Sequence, residues 1–257
     1  MGNRKIHFRS KTMLGVFRED GRLGKRLIII FKGLPCSWNR CIFCPFFIEQ
    51  GSLEEVIRVN NEILNKAKKV LWKENIERIS VFNGGSFYEL PLNVVLKLSE
   101  ITENKIVDIE TRPEFISKEV LLKTKQILNA KELVVRVGFE NFNEKIRNIV
   151  LNKGISQEEI TRLSKLRENF KRENIPIKLI AYVLFGIEGV PEETIVESVE
   201  KFNKLFDGVI AIKYRRYLKH HPKEIPISEN LVNFLKRNTL LIDWSTSEIN
   251  VVGKVKT

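Results

Sequence analysis

What this 257-residue chain lacks narrows it first. It has no apolar run near the ~18 residues that cross a membrane, so no membrane partner is expected. Its opening MGNRKIHFRSK lacks the apolar stretch of a signal peptide, and Ile6 stands where a myristoylation motif wants Ser or Thr. The expected location is cytoplasmic. No low-complexity linker divides the chain, and no repeat is visible beyond a strand–helix unit. Cysteine is scarce, with Cys36, Cys41 and Cys44 falling inside nine residues. An odd number packed so tightly cannot form a disulfide framework.

What is present describes a folded protein. Apolar residues make up 43% and charged residues 30%, a balance that excludes disorder. The net charge is +12, and all of it lies in two segments. Residues 1–32 hold nine Lys and Arg against two acids, and residues 213–237 hold seven against two. The rest of the chain is neutral. A basic stripe of this kind suits a polyanion such as nucleic acid, while a merely solvated surface is the plainer alternative.

Six short β-branched runs alternate with helical patterns. The predicted strands are 26–31, 78–82, 105–110, 132–139, 177–185 and 209–214. Ser52 with Glu55 and Ser156 with Glu159 predict capping boxes for helices reaching about residues 73 and 172. Pro91, Ser117, Pro191 and Ser228 open the other four helices. Such alternation means a parallel sheet buried on both faces, either doubly wound or an incomplete barrel. Ligands bind at the C-terminal strand ends in both folds, and every unusual motif follows a strand.

The first such motif is Cys36-Ser-Trp-Asn-Arg-Cys41-Ile-Phe-Cys44-Pro45. Thiolates suit both zinc and iron–sulfur clusters. A structural zinc wants paired ligands in two halves, and the second half is missing; His7, His220 and His221 are distant in sequence. Three ligands on a four-iron cluster leave one iron open to a substrate or cofactor.

This loop, with an aromatic just before its last cysteine, resembles that of the radical S-adenosylmethionine (radical SAM) enzymes. Its first spacer has four residues where the family more often has three. CIFCP and the later Glu110-Thr-Arg112-Pro-Glu114-Phe115 resemble the Elongator catalytic subunit and archaeosine-forming members. Asn83-Gly84-Gly85-Ser86 resembles the family's site for the SAM amino group. Gly138-Phe139-Glu140 follows at strand four, where a carboxylate suits ribose hydroxyls. Gly186-Ile-Glu188-Gly189 resembles the segment that backs adenine. These motifs occur in the family's order over roughly residues 28–215.

The resemblance implies an α/β fold, a partial (β/α)6 TIM-like barrel with the cluster loop after strand 1. Residues 1–25 would form a basic extension, 26–215 the barrel, and 216–257 a basic C-terminal helix and tail packed on it. It implies a 4Fe–4S cluster on Cys36, Cys41 and Cys44. It implies SAM bound by Phe43, Gly84, Gly85, Ser86, Glu110, Arg112, Glu140 and Gly186, and an external electron donor. If the acids are structural instead, Glu110 pairs with Arg112, and Glu140 with Arg136 or Arg147. Trp38 and Arg40 read equally well as packing and surface or as functional residues.

No cysteine remains for an auxiliary cluster, and the length leaves no room for a cobalamin or acetyltransferase domain. In an open six-strand barrel the first and sixth strands flank the opening, so both basic segments are expected to border it. Tyr214, Arg215, Arg216 and Lys219 mix cations with an aromatic as RNA sites do, and His220–His221 reads as a surface pair. A tRNA base is the leading substrate. The alternatives are a small metabolite or peptide, and a zinc-containing RNA-binding module without catalysis. A protein partner is left open.

Overall fold

The computed structural model describes residues 14–244 and 250–251. The chain opens with a hairpin of β1 (Gly15–Gly21) and β2 (Gly24–Phe31). Strands and helices then alternate: α1 (Leu53–Lys73), β3 (Arg78–Asn83), α2 (Leu92–Thr102), β4 (Ile106–Thr111), α3 (Lys118–Ile127) and β5 (Glu132–Glu140). There follow α4 (Gln157–Arg172), β6 (Ile177–Phe185), α5 (Glu192–Leu205), β7 (Val209–Lys213), α6 (Glu229–Asn238), β8 (Leu241–Asp243) and β9 (Asn250–Val251).

All nine strands belong to one sheet in the order β8-β7-β6-β5-β4-β3-β2-β1-β9. From β2 to β8 every pair is parallel, and β1 and β9 run antiparallel at one edge. The result is a half-barrel, an α/β fold as expected. The six predicted strands are β2 to β7. The structure adds β1, β8 and β9, so β2 and β7 are not the edges of the opening. β1 lies in the segment read as an N-terminal extension, and residues 1–13, with His7, lie outside the described residues.

Alternate side chains on each strand go to opposite faces. Leu27, Ile29, Phe31, Val107, Ile109, Val135 and Phe139 join residues such as Ile63, Leu98, Leu121 and Val199 of the helices in the main core. Each such side chain contributes roughly 1.5–3 kcal/mol on burial. The opposite face lines the lumen. Val134, Ile180, Tyr182 and Ile210 form a small apolar cluster there. Beside it Asp108 is fully buried, with Arg78 Nη1 at 2.8 Å and Arg136 Nη2 at 3.1 Å.

The helix starts follow the sequence with two corrections. Ser52 caps α1, its Oγ accepting from Glu55 N at 3.3 Å, but the Glu55 carboxylate pairs with Lys32 instead of closing the box. Ser156 makes no cap bond to the backbone, and Glu159 turns to Arg162. No described helix is long and apolar enough to cross a membrane.

Candidate active site

The cysteine loop leaves the C-terminal end of β2 and is held from two sides. On the first side is the glycine motif after β3. Gly33 lies so close to Gly84 that a Cβ on Gly33 would meet Gly84 N at 3.1 Å. A Cβ on Gly84 would meet Phe46 O at 3.0 Å, and one on Gly85 would lie 3.5 Å from Cys36 Cβ. The paired glycines therefore let two loop backbones touch. Glu89 ties them further. Its carboxylate accepts from Ser37 N at 2.7 Å and from Ser86 N at 2.6 Å. Sequence reasoning missed Glu89; the signal was its place three residues after Ser86, the spacing of a capping box.

On the second side is a turn, Asn152-Lys153-Gly154, that follows a short π-helical turn at Ile146–Val150. Trp38 Nε1 donates to Asn152 O at 2.8 Å, and Ile42 N donates to Leu151 O at 3.3 Å. Gly154 has φ +63°, and a Cβ there would stand 2.1 Å from the Trp38 ring. Arg112 crosses the gap, donating from Nη1 to Lys153 O at 3.0 Å and lying 5.0 Å from the Trp38 ring centroid. Trp38 thus packs between the cysteine loop and the turn, with exposed Arg40 5.3 Å from its ring centroid. An Asn-x-Gly turn signal was available in the sequence, but only the fold brings it to the cysteines.

The structure describes all three cysteines as free thiols of intermediate exposure. Their charges act on one another. Burial pushes the Cys44 thiol up to about 12 and raises that of Cys41, and the neighbouring cysteines add to both. Among the described residues no three His, Cys, Asp or Glu side chains are drawn in tightly enough to hold a single metal ion. Three soft sulfurs on one loop, with no fourth ligand beside them among the described residues, fit the donor set of a cluster that keeps one iron open. A bound cluster would remove the thiol protons outright.

The other motif residues gather around this loop. Asn83 Oδ1 is buried with no hydrogen-bond donor, an orphan acceptor suited to an ammonium group. Ser86 Oγ accepts from Arg112 N at 3.0 Å. Glu140 is buried at φ +68° after a bulge between Gly138 and Glu140. A non-glycine residue there is strained by about 1–3 kcal/mol. Its Oε1 lies 2.8 Å from Lys153 Nζ. Lys153 stands 5.5 Å over the Phe43 ring, and Gly138 leaves room for the pair. Burial acts to lower the Lys153 ammonium, but the charges of Glu140 and Cys41 and the hydrogen bond to Glu140 together raise it. Gly186, at φ +76°, leaves space that Lys213 Nζ fills from behind.

The structural pairings expected from sequence are not those observed. Arg112 pairs with Glu114, Arg136 with Asp108, and Glu140 with Lys153. Arg147 instead donates to Asn141 O, Phe142 O and Ile155 O. Glu110 points into the lumen.

The basic segment is partly spent inside the fold. Tyr214 is buried and donates its hydroxyl to Pro222 O at 2.9 Å. Lys213 is buried too, and Arg215 lies 3.4 Å from Glu224. Arg216 and Lys219 are exposed. Of the histidine pair, His220 is exposed and His221 buried. At the other end Arg18 pairs with Glu74, and buried Arg26 with Glu19.

No protein-family model matches the sequence. An uncharacterized protein of Methanocaldococcus jannaschii is 32% identical over 204 residues, covering 74% of this chain and 54% of that one. The archaeosine synthase subunit beta of Methanosarcina acetivorans is 28% identical over 197 residues, 70% of this chain and 55% of that protein. The chain spans about half the length of these curated relatives. Among solved structures, a queuine lyase from Clostridium spiroforme, bound to SAM and queuine, superposes with a TM-score of 0.68 at 24% identity. It covers 91% of this chain and 96% of that one, so the two share one fold.

Proposed function

We propose that the chain is a radical SAM enzyme acting on a modified nucleobase, foremost a base of tRNA. The observation that carries this is the three-cysteine loop pinned at the mouth of an open β/α barrel against a backbone-contact glycine motif. When bound, the cluster and SAM supply reductive cleavage to methionine and a 5′-deoxyadenosyl radical that takes a hydrogen atom from the substrate.

The residues of the chain do the rest. Cys36, Cys41 and Cys44 hold the cluster. Asn83 Oδ1, Gly84, Gly85 and Ser86 receive the polar end of SAM, Glu140 its ribose and Gly186 its adenine. Phe43 shields the loop. Lys153 keeps Glu140 oriented, and Arg112 locks the turn that carries Lys153. An external one-electron donor is required.

The tRNA reading is supported by exposed Arg216, Lys219 and Lys223 and by the likeness to an archaeosine synthase subunit. A second reading, action on a free base, is favoured by the near full-length match to the queuine lyase. The test uses protein purified without oxygen and reconstituted with iron and sulfide. About four irons per chain, a brown colour, and 5′-deoxyadenosine formed with dithionite and SAM are expected, all lost or sharply reduced in Cys41→Ala. A colourless zinc protein that leaves SAM intact would reject the proposal. Binding of tRNA that weakens steeply with salt separates the tRNA reading from the free-base reading.

A further inference from the structure

One buried cation beside the cysteine loop has donors to spare. Lys153 stands on the turn at 152–154, and only 12% of its side chain is exposed. An ammonium carries three N–H donors. Among the described residues one acceptor meets them, Glu140 Oε1 at 2.8 Å. The remaining donors are unspent in a place where a buried charge is costly.

The backbone fixes where this charge sits. Ile42 N, next in the chain to Cys41, donates to Leu151 O at 3.3 Å, and Lys153 N donates to Arg147 O at 2.9 Å. Arg112 Nη1 holds Lys153 O from the other side at 3.0 Å. The ammonium lies 5.5 Å over the ring of Phe43, and Phe43 stands between Cys41 and Cys44 in the loop. Its charge reaches the sulfurs. Burial raises the Cys41 and Cys44 thiols, and Lys153 acts to lower both. At Cys41 its pull exceeds the opposing push of Glu140.

The other cations near the loop are placed differently. Arg112 spends its guanidinium on Glu114, Lys153 O and Gly154 O. Arg40 is exposed, so water and salt screen it. Of the three, Lys153 is the one both buried and short of acceptors. A fixed charge in such a low-dielectric place acts strongly on any change of charge beside it. The potential of an iron–sulfur cluster follows the net charge around it and its exposure to solvent.

We propose that Lys153 is the fixed counter-charge of the cysteine loop: its ammonium, held over Phe43 by Glu140, favours the reduced state of the cluster and raises its reduction potential. Glu140 opposes it and sets how far the potential rises. One electron passes from the external donor, which is oxidised, to the cluster, which is reduced. No bond forms or breaks, and Lys153 keeps its proton. This rests on the radical SAM reading above and deepens it.

The test is a redox titration of the reconstituted protein without SAM, at mildly alkaline pH. It is read by electron paramagnetic resonance of the reduced cluster, with iron per chain measured alongside. Lys153→Gln keeps an amide donor for Glu140 and removes the charge, and its midpoint is expected below that of the wild type. Glu140→Gln removes the opposing charge, and its midpoint is expected above. Lys153→Arg keeps the charge and is expected closer to the wild type than Lys153→Gln. Unchanged midpoints in both glutamine variants, or shifts in one direction, overturn the proposal. So does loss of iron from Lys153→Gln with no shift in the clusters that remain, the mark of a purely structural role. A loss of SAM affinity in Lys153→Gln at an unchanged midpoint also overturns it and assigns the ammonium to SAM. Where Lys153→Gln holds no cluster, Glu140→Gln decides: an upward shift supports the proposal, and none or a downward one overturns it. Failure of the radical SAM reading looks different, because the wild type would then hold no reducible cluster.

Discussion

Single residues around the cysteine loop act mainly by fixing backbone. Glu89 serves two amides at once, Ser37 N and Ser86 N. Hydrogen bonds to a charged acceptor are worth about 1.5–3 kcal/mol each. Glu89→Ala is therefore expected to lower stability by roughly 2–4 kcal/mol, read as a reduced urea midpoint, and to reduce iron retention. Lys153 is a sharper case, since Glu140 is buried and strained. Lys153→Met leaves that carboxylate without its cation, a change that costs roughly 3–5 kcal/mol in buried pairs. A circular-dichroism melt would show it; an unchanged melting temperature would mean that Glu140 relaxes into solvent.

At the scale of elements, the decisive contact is between the cysteine loop and the 152–154 turn. The turn works because Asn152 and Gly154 both adopt positive φ, at 51° and 63°. Gly154→Ala adds backbone strain and a clash with Trp38. The expected result is a loosened cysteine loop and faster tryptic cleavage after exposed Arg40, with the helices intact. The capping serines at 52, 117 and 228 and the prolines at 91 and 191 marked where helices begin, because a cap acts within one turn. At Ser156 the helix also starts where expected, but without the cap bonds, since Glu159 pairs with Arg162.

For the whole molecule, two bulk measurements follow from the charges. Glu110 titrates near 7 when folded, against 4.5 for an ordinary glutamate. Between those values the unfolded chain has lost a proton that the folded chain keeps. Stability contributed here falls as pH rises from 4.5 to 7, and the loss is complete above 7. Its size is on the order of 2–3 kcal/mol after allowing for water in the lumen. Glu110→Gln is expected to flatten this part of the urea-midpoint profile and to be at least as stable as wild type at high pH. The second measurement is salt-dependent tRNA binding. Lys219→Ala, which keeps the carbonyl that Arg216 uses, is expected to reduce the salt slope by about 1.

The strand–helix alternation, six of the nine strands, every helix start and the chemistry of the three sulfurs were legible in the linear chain. Each depends on patterns of a few residues: β-branched runs, caps, and soft donors at close spacing. What only the tertiary structure decided is how distant segments meet. Residues 89 and 152–154 reach the cysteine loop from over fifty and over one hundred positions away. Glu110 stands beside Arg136 yet loses it to Asp108. Tyr214, written among surface cations, turns inward. Charge and hydrogen-bond partners are chosen by distance in space, and a sequence with no repeat and no second copy of these motifs carries no local record of that choice.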